Sequence, residues 1–220
     1  MKREIRITSD GSHTLYAPEI DEHYHSIHGA IQESSHVFIN NGIHSLFGSE
    51  IRVLEVGFGT GLNALLTSLW SKKHNIFVDY TGVEAFPVEL IVNKSLNYPE
   101  NLKDEYATIF FNEIISADWH KSIKIHSDFR VSKIESRLED FDTNQKFDIV
   151  YFDAFGPTFQ KELWDIAILE KMFNVLNDNG VFVTYCAMGQ LKRDLKKIGF
   201  KVESLPGPPG KREMTRGIKF

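Results

Sequence analysis

Three acidic residues and one glycine-rich turn carry the chemistry legible in this chain. Residues 53–62, V-L-E-V-G-F-G-T-G-L, run from an apolar segment holding Glu55 into glycines at Gly57, Gly59 and Gly61. Leucines at helical spacing follow at once, at Leu62, Leu65, Leu66 and Leu69. Strand, tight turn and helix in that order let a nucleotide-like ligand lie against bare backbone. The dinucleotide fingerprint G-x-G-x-x-G needs its third glycine one residue later, where Leu62 stands, so a pyrophosphate fits less well. An acid just ahead of G-x-G-x-G instead suits S-adenosyl-L-methionine, whose amino-acid end carries a cation and which has no phosphate. A dinucleotide site and a merely structural turn are the alternatives.

Glu84 closes an apolar run over residues 75–83, where a carboxylate can accept both ribose hydroxyl hydrogens of an adenosine. The competing role is a charge favouring the N-terminus of a following helix. Glu55 is placed to reach the glycine loop or the methionine ammonium, or simply to brace the loop. Asp153 ends another apolar strand and opens D-A-F-G-P. A primary amine attacks a sulfonium methyl only through its lone pair. A carboxylate at that corner can orient the amine, accept its hydrogen bond and take the proton as the C–N bond forms. Phe155 is placed to stack on a base and Pro157 to stiffen the loop; capping of the next element is the plainer role for Asp153.

The turn G-P-P-G-K-R-E over residues 207–213 presents Lys211 and Arg212. Phosphate or carboxylate recognition fits there, bidentate for Arg212, with ordinary salt bridges as the alternative. His23, His25 and His28, beside Asp21 and Glu22, match neither a helical i, i+4 pair nor a zinc knuckle. They are read as a polar loop covering the cofactor, and no metal site is expected.

The elements that must position these residues alternate from residue 51 onward. Strands are expected at 51–56, 75–83, 129–134, 147–152, 181–185 and 200–204, with a seventh at 214–220. Helices are expected at 62–72, from Pro87, at 161–176 with Asn179-Gly180 as the stop, and at 191–198 closed by Gly199. Residues 121–128 suggest a hairpin. The pattern is α/β: a doubly wound, Rossmann-like sheet of the S-adenosylmethionine methyltransferase type with an antiparallel last strand. Residues 1–50 read as an N-terminal extension packed on the core, with a short hairpin at 8–16 and helical spacing over 30–47. Residues 51–220 are read as the methyltransferase-type domain.

With 42% hydrophobic and 25% charged residues, the 220-residue chain has the composition of an ordinary globular protein, and two full domains would be cramped. No apolar run is long enough to cross a bilayer, and the N-terminus lacks a signal-type core. The single cysteine, Cys186, excludes an internal disulfide; it reads as a buried small hydrophobe, and a reducing, cytoplasmic setting is expected. The net charge of −5 argues against wholesale coating of nucleic acid. Even so, Lys192, Arg193, Lys196, Lys197, Lys201, Lys211, Arg212, Arg216 and Lys219 crowd the C-terminal segment. They form either a phosphate-binding face or a solvated one.

Several segments together resemble a known family. They are S-D-G-S-H-T-L-Y (9–16), D-E-H-Y-H-S (21–26), G-A-I-Q-E-S-S-H-V-F-I (29–39), L-E-V-G-F-G-T-G-L-N (54–63) and E-A-F-P (84–87). D-A-F-G-P (153–157), E-L-W (162–164), T-Y-C-A-M-G (184–189) and G-P-P-G-K-R-E-M (207–214) complete the set. The chain resembles the MnmC-type methyltransferases of the bacterial tRNA 5-methylaminomethyl-2-thiouridine pathway. The glycine loop is common to many methyltransferases; the N-terminal block, D-A-F-x-P and the G-K-R-E-M tail are specific. The resemblance implies methyl transfer from S-adenosyl-L-methionine to the aminomethyl group of a tRNA wobble uridine, with Asp153 on the family's catalytic aspartate. It also implies that Asn63 and Leu138 join Glu55, the three glycines and Glu84 around the cofactor. Some members carry a second, FAD-dependent oxidase module. A chain ending at Phe220 is expected to act alone on an amine supplied by upstream enzymes.

Two departures stand out. Arg137 occupies a place where relatives carry an acid near the adenine, which leaves backbone around Leu138, or Glu139, for that contact. The loop after Asp153, T-F-Q-K-E-L-W, lacks a second proline. Methylation of another amine, on a small molecule or a protein, remains an alternative. So do a non-catalytic tRNA-binding module and an NAD-linked enzyme.

Overall fold

The computed structural model describes residues 2–220. A small antiparallel sheet opens the chain: β1 (Glu4–Ile7), β2 (His13–Ala17) and β3 (Glu22–His23), the first pair turning at Asp10-Gly11-Ser12. Helix α1 (Ala30–Ser34) runs directly into a π-helical stretch, Ser35–Asn40, and a 3-10 turn, Ile43–Ser45, follows Gly42.

The main sheet then builds up from β4 (Glu50–Val56), α2 (Leu62–His74), β5 (Phe77–Glu84), α3 (Leu90–Asn93), α4 (Tyr98–Leu102) and α5 (Ala107–Ser116). The β6 (Ser122–His126) and β7 (Phe129–Glu135) hairpin and β8 (Phe147–Phe152) come next. A 3-10 turn at Lys161–Trp164, α6 (Ile166–Val175), β9 (Leu176–Thr184), α7 (Gly189–Ile198), β10 (Phe200–Pro206) and β11 (Glu213–Lys219) complete the chain. The eight strands lie in the order β10-β11-β9-β8-β4-β5-β7-β6. β7, β5, β4, β8 and β9 are mutually parallel, and β11 is antiparallel to both of its neighbours. β11 inserts between β9 and β10 because the Pro-rich turn returns the chain without a crossover helix.

Both faces of the sheet are covered, and the period-2 alternation of each strand divides its side chains between two cores. Val53 of β4, Tyr80 of β5 and Tyr151 of β8 face α2 and α5, while Leu54, Val150 and Phe152 face α6 and α7. Leu15, Ala30, Val37, Phe38 and Ile43 from the first fifty residues belong to the first of these cores. Burial against the sheet therefore holds the N-terminal segment in place.

Several expected boundaries differ: the hairpin expected at 8–16 takes its first strand from Glu4–Ile7, and the helix expected from 161 begins at Ile166 after a 3-10 turn. Pro87 does not open a helix: the chain bends at Ala85-Phe86, continues without helix to Glu89, and α3 begins at Leu90. The stretch is pinned by Phe86 N–H on Glu84 Oε1 at 2.8 Å and by the Arg3 guanidinium on the Phe86 carbonyl and on Glu89 Oε2. Asn179-Gly180 does not stop the preceding helix, which ends at Val175. Instead it sits inside β9, where the register against β8 shifts and Asn179 takes a positive φ of 63°.

Candidate active site

β4 lies between β5 and β8, the strands on which the chain turns to opposite sides, and a crevice opens beyond the carboxyl ends of all three. The cavity has a volume of about 520 Å³. Its wall includes Glu55, Gly57, Gly59, Asn63, Glu84 and Asp153, so residues spread over a hundred positions meet in one place.

The glycine loop is tied to β5. Gly57 N–H and Phe58 N–H both donate to the Val83 carbonyl, at 2.9 and 3.1 Å. Gly57 has φ 84°, and a Cβ there would lie 2.7 Å from the Asp153 carbonyl oxygen, so only glycine lets β4 and β8 end this close together. Gly61 is off the cavity wall; it is the left-handed residue, φ 78°, from which α2 starts. At this position glycine lets the chain turn into the helix.

Glu84 accepts Gly59 N–H on Oε2 at 2.9 Å and Phe86 N–H on Oε1 at 2.8 Å. Each oxygen keeps a lone pair, and the carboxylate stays on the cavity wall. Glu55 is 1% exposed, and burial pushes its carboxyl well above the ordinary range. Asn63, in the first turn of α2, donates from Nδ2 to Glu55 Oε1 at 2.9 Å and to Asp153 Oδ2 at 2.8 Å. One amide therefore links the acid under the glycine loop to the acid at the end of β8. Among the described residues, Glu55 Oε2, Asn63 Oδ1 and the Tyr80 hydroxyl are buried with no partner within hydrogen-bond distance, although Glu55 and Tyr80 lie close enough to influence each other.

Burial, helped by the charge of Glu33, raises the Asp153 carboxyl to about 7. Asn63 and the Lys211 ammonium oppose that rise. A carboxylate with this proton affinity is matched to taking a proton near neutral pH. Tyr24 and Phe155 meet edge to face beside it, ring centroids 5.1 Å apart, and both line the cavity. The exposed side chains of Ile27, Phe86 and Phe159 give the cavity an apolar rim.

The other expected positions divide. Leu138 and Ser136 are on the wall, whereas Arg137 and Glu139 are off it and pair with each other at 2.9 Å. The side chain in the acid's place thus turns outward. Glu22, His23 and His25 contribute to the wall from the N-terminal segment. Pro157 and Arg212 are not on the wall, and Arg212 is exposed. Lys211 is on it, held by Glu33 at 2.6 Å. Much of the C-terminal positive charge is spent inside the fold: Lys192 pairs with Glu213, Arg216 with Glu203, and Lys219 donates to two carbonyls. Arg193, Lys196, Lys197 and Lys201 stay exposed.

Sequence reasoning missed Glu33, Tyr24 and Tyr185 as wall residues. The available signal was Glu33 itself, an acid on the face of a helical segment whose other buried members are small or apolar.

A family model described as S-adenosyl-L-methionine-dependent methyltransferase matches residues 99–220, more than half of the chain. The chain belongs to this methyltransferase family. It is 27% identical over 237 residues to the tRNA 5-methylaminomethyl-2-thiouridine biosynthesis bifunctional protein MnmC of Pseudoalteromonas atlantica, covering 98% of this chain and 33% of that protein. Against the protein of the same name from Leptospira interrogans it is 28% identical over 220 residues, covering 93% and 33%. The chain thus spans about a third of the length of these curated relatives. Among solved structures, MnmC2 from Aquifex aeolicus superposes with a TM-score of 0.77 at 26% identity, covering 98% of this chain and 69% of that one.

The methyl donor of this methyltransferase is S-adenosyl-L-methionine, and the cavity fits it. Among the described residues, Glu55 Oε2 beneath the glycine loop has the Tyr80 hydroxyl near it but no donor within hydrogen-bond distance, and a cofactor ammonium would supply one. The side-chain-free backbone at Gly57 and Gly59 and the free lone pairs of Glu84 suit a ribose-bearing ligand. Among the described residues no helix is long and apolar enough to cross a membrane.

Proposed function

We propose that this methyltransferase transfers a methyl group to the primary amine of a 5-aminomethyl-(2-thio)uridine at the wobble position of tRNA, giving the 5-methylaminomethyl form. The observation that carries this reading is Asp153. Its carboxylate opens into the cofactor cavity, is oriented by Asn63 at 2.8 Å, and is raised by burial to about 7. The names of the relatives, and the length of this chain that aligns with them, support tRNA as the acceptor.

When bound, the sulfonium supplies an electrophilic methyl group. Gly57 and Gly59 would pass its backbone-contacting portion, Glu84 would receive the ribose hydroxyls, and Glu55 would receive the methionine ammonium. The backbone around Leu138 would border the adenine. Asp153 accepts a hydrogen bond from the acceptor amine and holds its lone pair toward the methyl carbon. Methyl transfer to that lone pair would leave the amine cationic and the donor a neutral thioether, and Asp153 would take one of the amine's protons and pass it to water. Tyr24 and Phe155 offer aromatic surfaces to the uracil ring. A cavity enclosed on this scale reaches only a base swung out of its stack, and an anticodon loop provides one. Ile27, Phe86 and Phe159 would border the bases on either side. The reaction belongs in the cytoplasm with the tRNA, and upstream enzymes install the aminomethyl group.

The test is transfer of labelled methyl from S-adenosyl-L-methionine to total tRNA, run beside RNase-treated extract. Label in RNase-sensitive material that disappears with Asp153→Ala supports the reading. Label that survives RNase assigns the acceptor to a small amine or a protein. Full activity in Asp153→Ala removes the mechanism.

A further inference from the structure

One side of the cavity carries an ion pair for which the reaction above has no role. Glu33, on α1, has a side chain 9% exposed; it accepts Lys211 Nζ on Oε2 at 2.6 Å and Ser26 N–H on Oε1 at 2.9 Å. Lys211, from the Pro-rich turn between β10 and β11, also places its ammonium 3.8 Å from the centre of the Tyr185 ring. Tyr185 follows β9, and its hydroxyl donates at 2.9 Å to the carbonyl of Ala154, the residue after Asp153. Segments distant in sequence thus converge on the end of β8, and Glu33, Lys211, Tyr185 and Asp153 share one cavity.

We propose that Glu33 and Lys211 are positioning residues for methyl transfer, an ion pair built into the cavity wall whose two charges act in opposite senses on the Asp153 carboxyl group. The proposal rests on the reading of Asp153 as the proton acceptor. A base that must take a proton from an amine is useless when neutralised by a lysine and equally useless when permanently protonated. Glu33 holds the Lys211 ammonium at hydrogen-bond distance and Tyr185 holds its other side, so the cation is felt at Asp153 without pairing to it. The Glu33 charge works the other way and favours the protonated form.

The remaining groups facing this corner are Glu55 on β4, Tyr80 on β5 and Asn63 on α2. Glu22 on β3 faces Tyr185, and His25, which burial keeps neutral with its value lowered to about 4, faces Glu33. Among all of these, Lys211 is the cation that acts on Asp153.

The experiment is a carboxyl ¹³C NMR titration of the aspartate-labelled, ligand-free protein, with the Asp153 signal assigned by its loss in Asp153→Asn. Glu33→Gln lowers the Asp153 midpoint and Lys211→Met raises it, each by about one pH unit. Lys211→Gln, which also removes the charge, serves if the methionine variant does not fold, and Lys211→Arg, which keeps the charge, leaves the midpoint at the wild-type position. The acid limb of the methyl-transfer rate moves with the midpoint. A purely architectural pair would lower the rate without moving that limb. Unchanged midpoints in both single variants, or shifts of the same sign, overturn the proposal. The titration needs no acceptor, so midpoints that move while tRNA stays unmethylated would refute the acceptor and leave the ion pair standing.

Discussion

Asp153→Asn should remove activity and at the same time stabilise the ligand-free protein, by an amount that grows with pH. The wild-type carboxyl sits at about 7 in the fold, against 3.8 ordinarily, because burial favours its protonated form. A carboxyl raised by folding contributes stability that is fully present below the unfolded-state value and is lost as pH rises through the folded-state value. From pH 5.5 to 8.5 about 1.5 pH units of that loss remain, or about 2 kcal/mol at ~1.36 kcal/mol per unit. Asp153 is only partly buried by accessible surface, and solvent in the cavity reduces the figure to about 1–2 kcal/mol. Asparagine has no charge to desolvate, and its Oδ1 can still accept from Asn63 Nδ2. Urea unfolding of both proteins at the two pH values measures the effect. The advantage of the variant over wild type should be larger at pH 8.5 by that amount. A difference that is flat or shrinks with pH would refute the claim that Asp153 is held in an environment hostile to its charge.

Asp153→Ala should leave the dissociation constant for S-adenosyl-L-methionine within a few-fold of wild type by calorimetry while turnover is lost, because the aspartate acts on the amine. Glu84→Ala should weaken cofactor binding by about 10–100-fold, since each removed charged acceptor is worth about 1.5–3 kcal/mol; unchanged affinity would exclude it from the ribose subsite. Gly57→Ala should cost about 1–3 kcal/mol of stability in denaturant melts and impair cofactor binding, because its Cβ would meet the Asp153 carbonyl at a positive φ. Wild-type methyl transfer should fall on the acid side of about pH 7 as Asp153 is protonated; a rate constant unchanged down to pH 5 would contradict its role as base.

The strand ends were legible because local pattern decides them. A strand buried on both faces reads as a continuous apolar run, and Glu55, Glu84 and Asp153 each mark where such a run meets the cavity. The carboxylates therefore fell into one crevice as soon as the sheet was parallel. Glu33, Tyr24 and Tyr185 were hidden because their position depends on packing between distant segments: α1 against α2, and the β10–β11 turn against α1 and Tyr185. Pro87 misled for a related reason. Its local preference for a helix start yields to a clamp made by Glu84, three residues before it, and Arg3, more than eighty residues away. Lys211 and Arg212 are adjacent in a motif, yet one faces the cavity and the other solvent, a division that only the turn geometry makes.

The most direct test of the central claim is nucleoside mass analysis of tRNA carrying 5-aminomethyluridine, incubated with the purified protein and S-adenosyl-L-methionine. The wobble nucleoside should gain a single methyl group, converting the aminomethyl form to the methylaminomethyl form, and Asp153→Asn should leave it unconverted. A protein that binds S-adenosyl-L-methionine yet leaves that nucleoside unchanged, or that methylates a different one, would contradict the account.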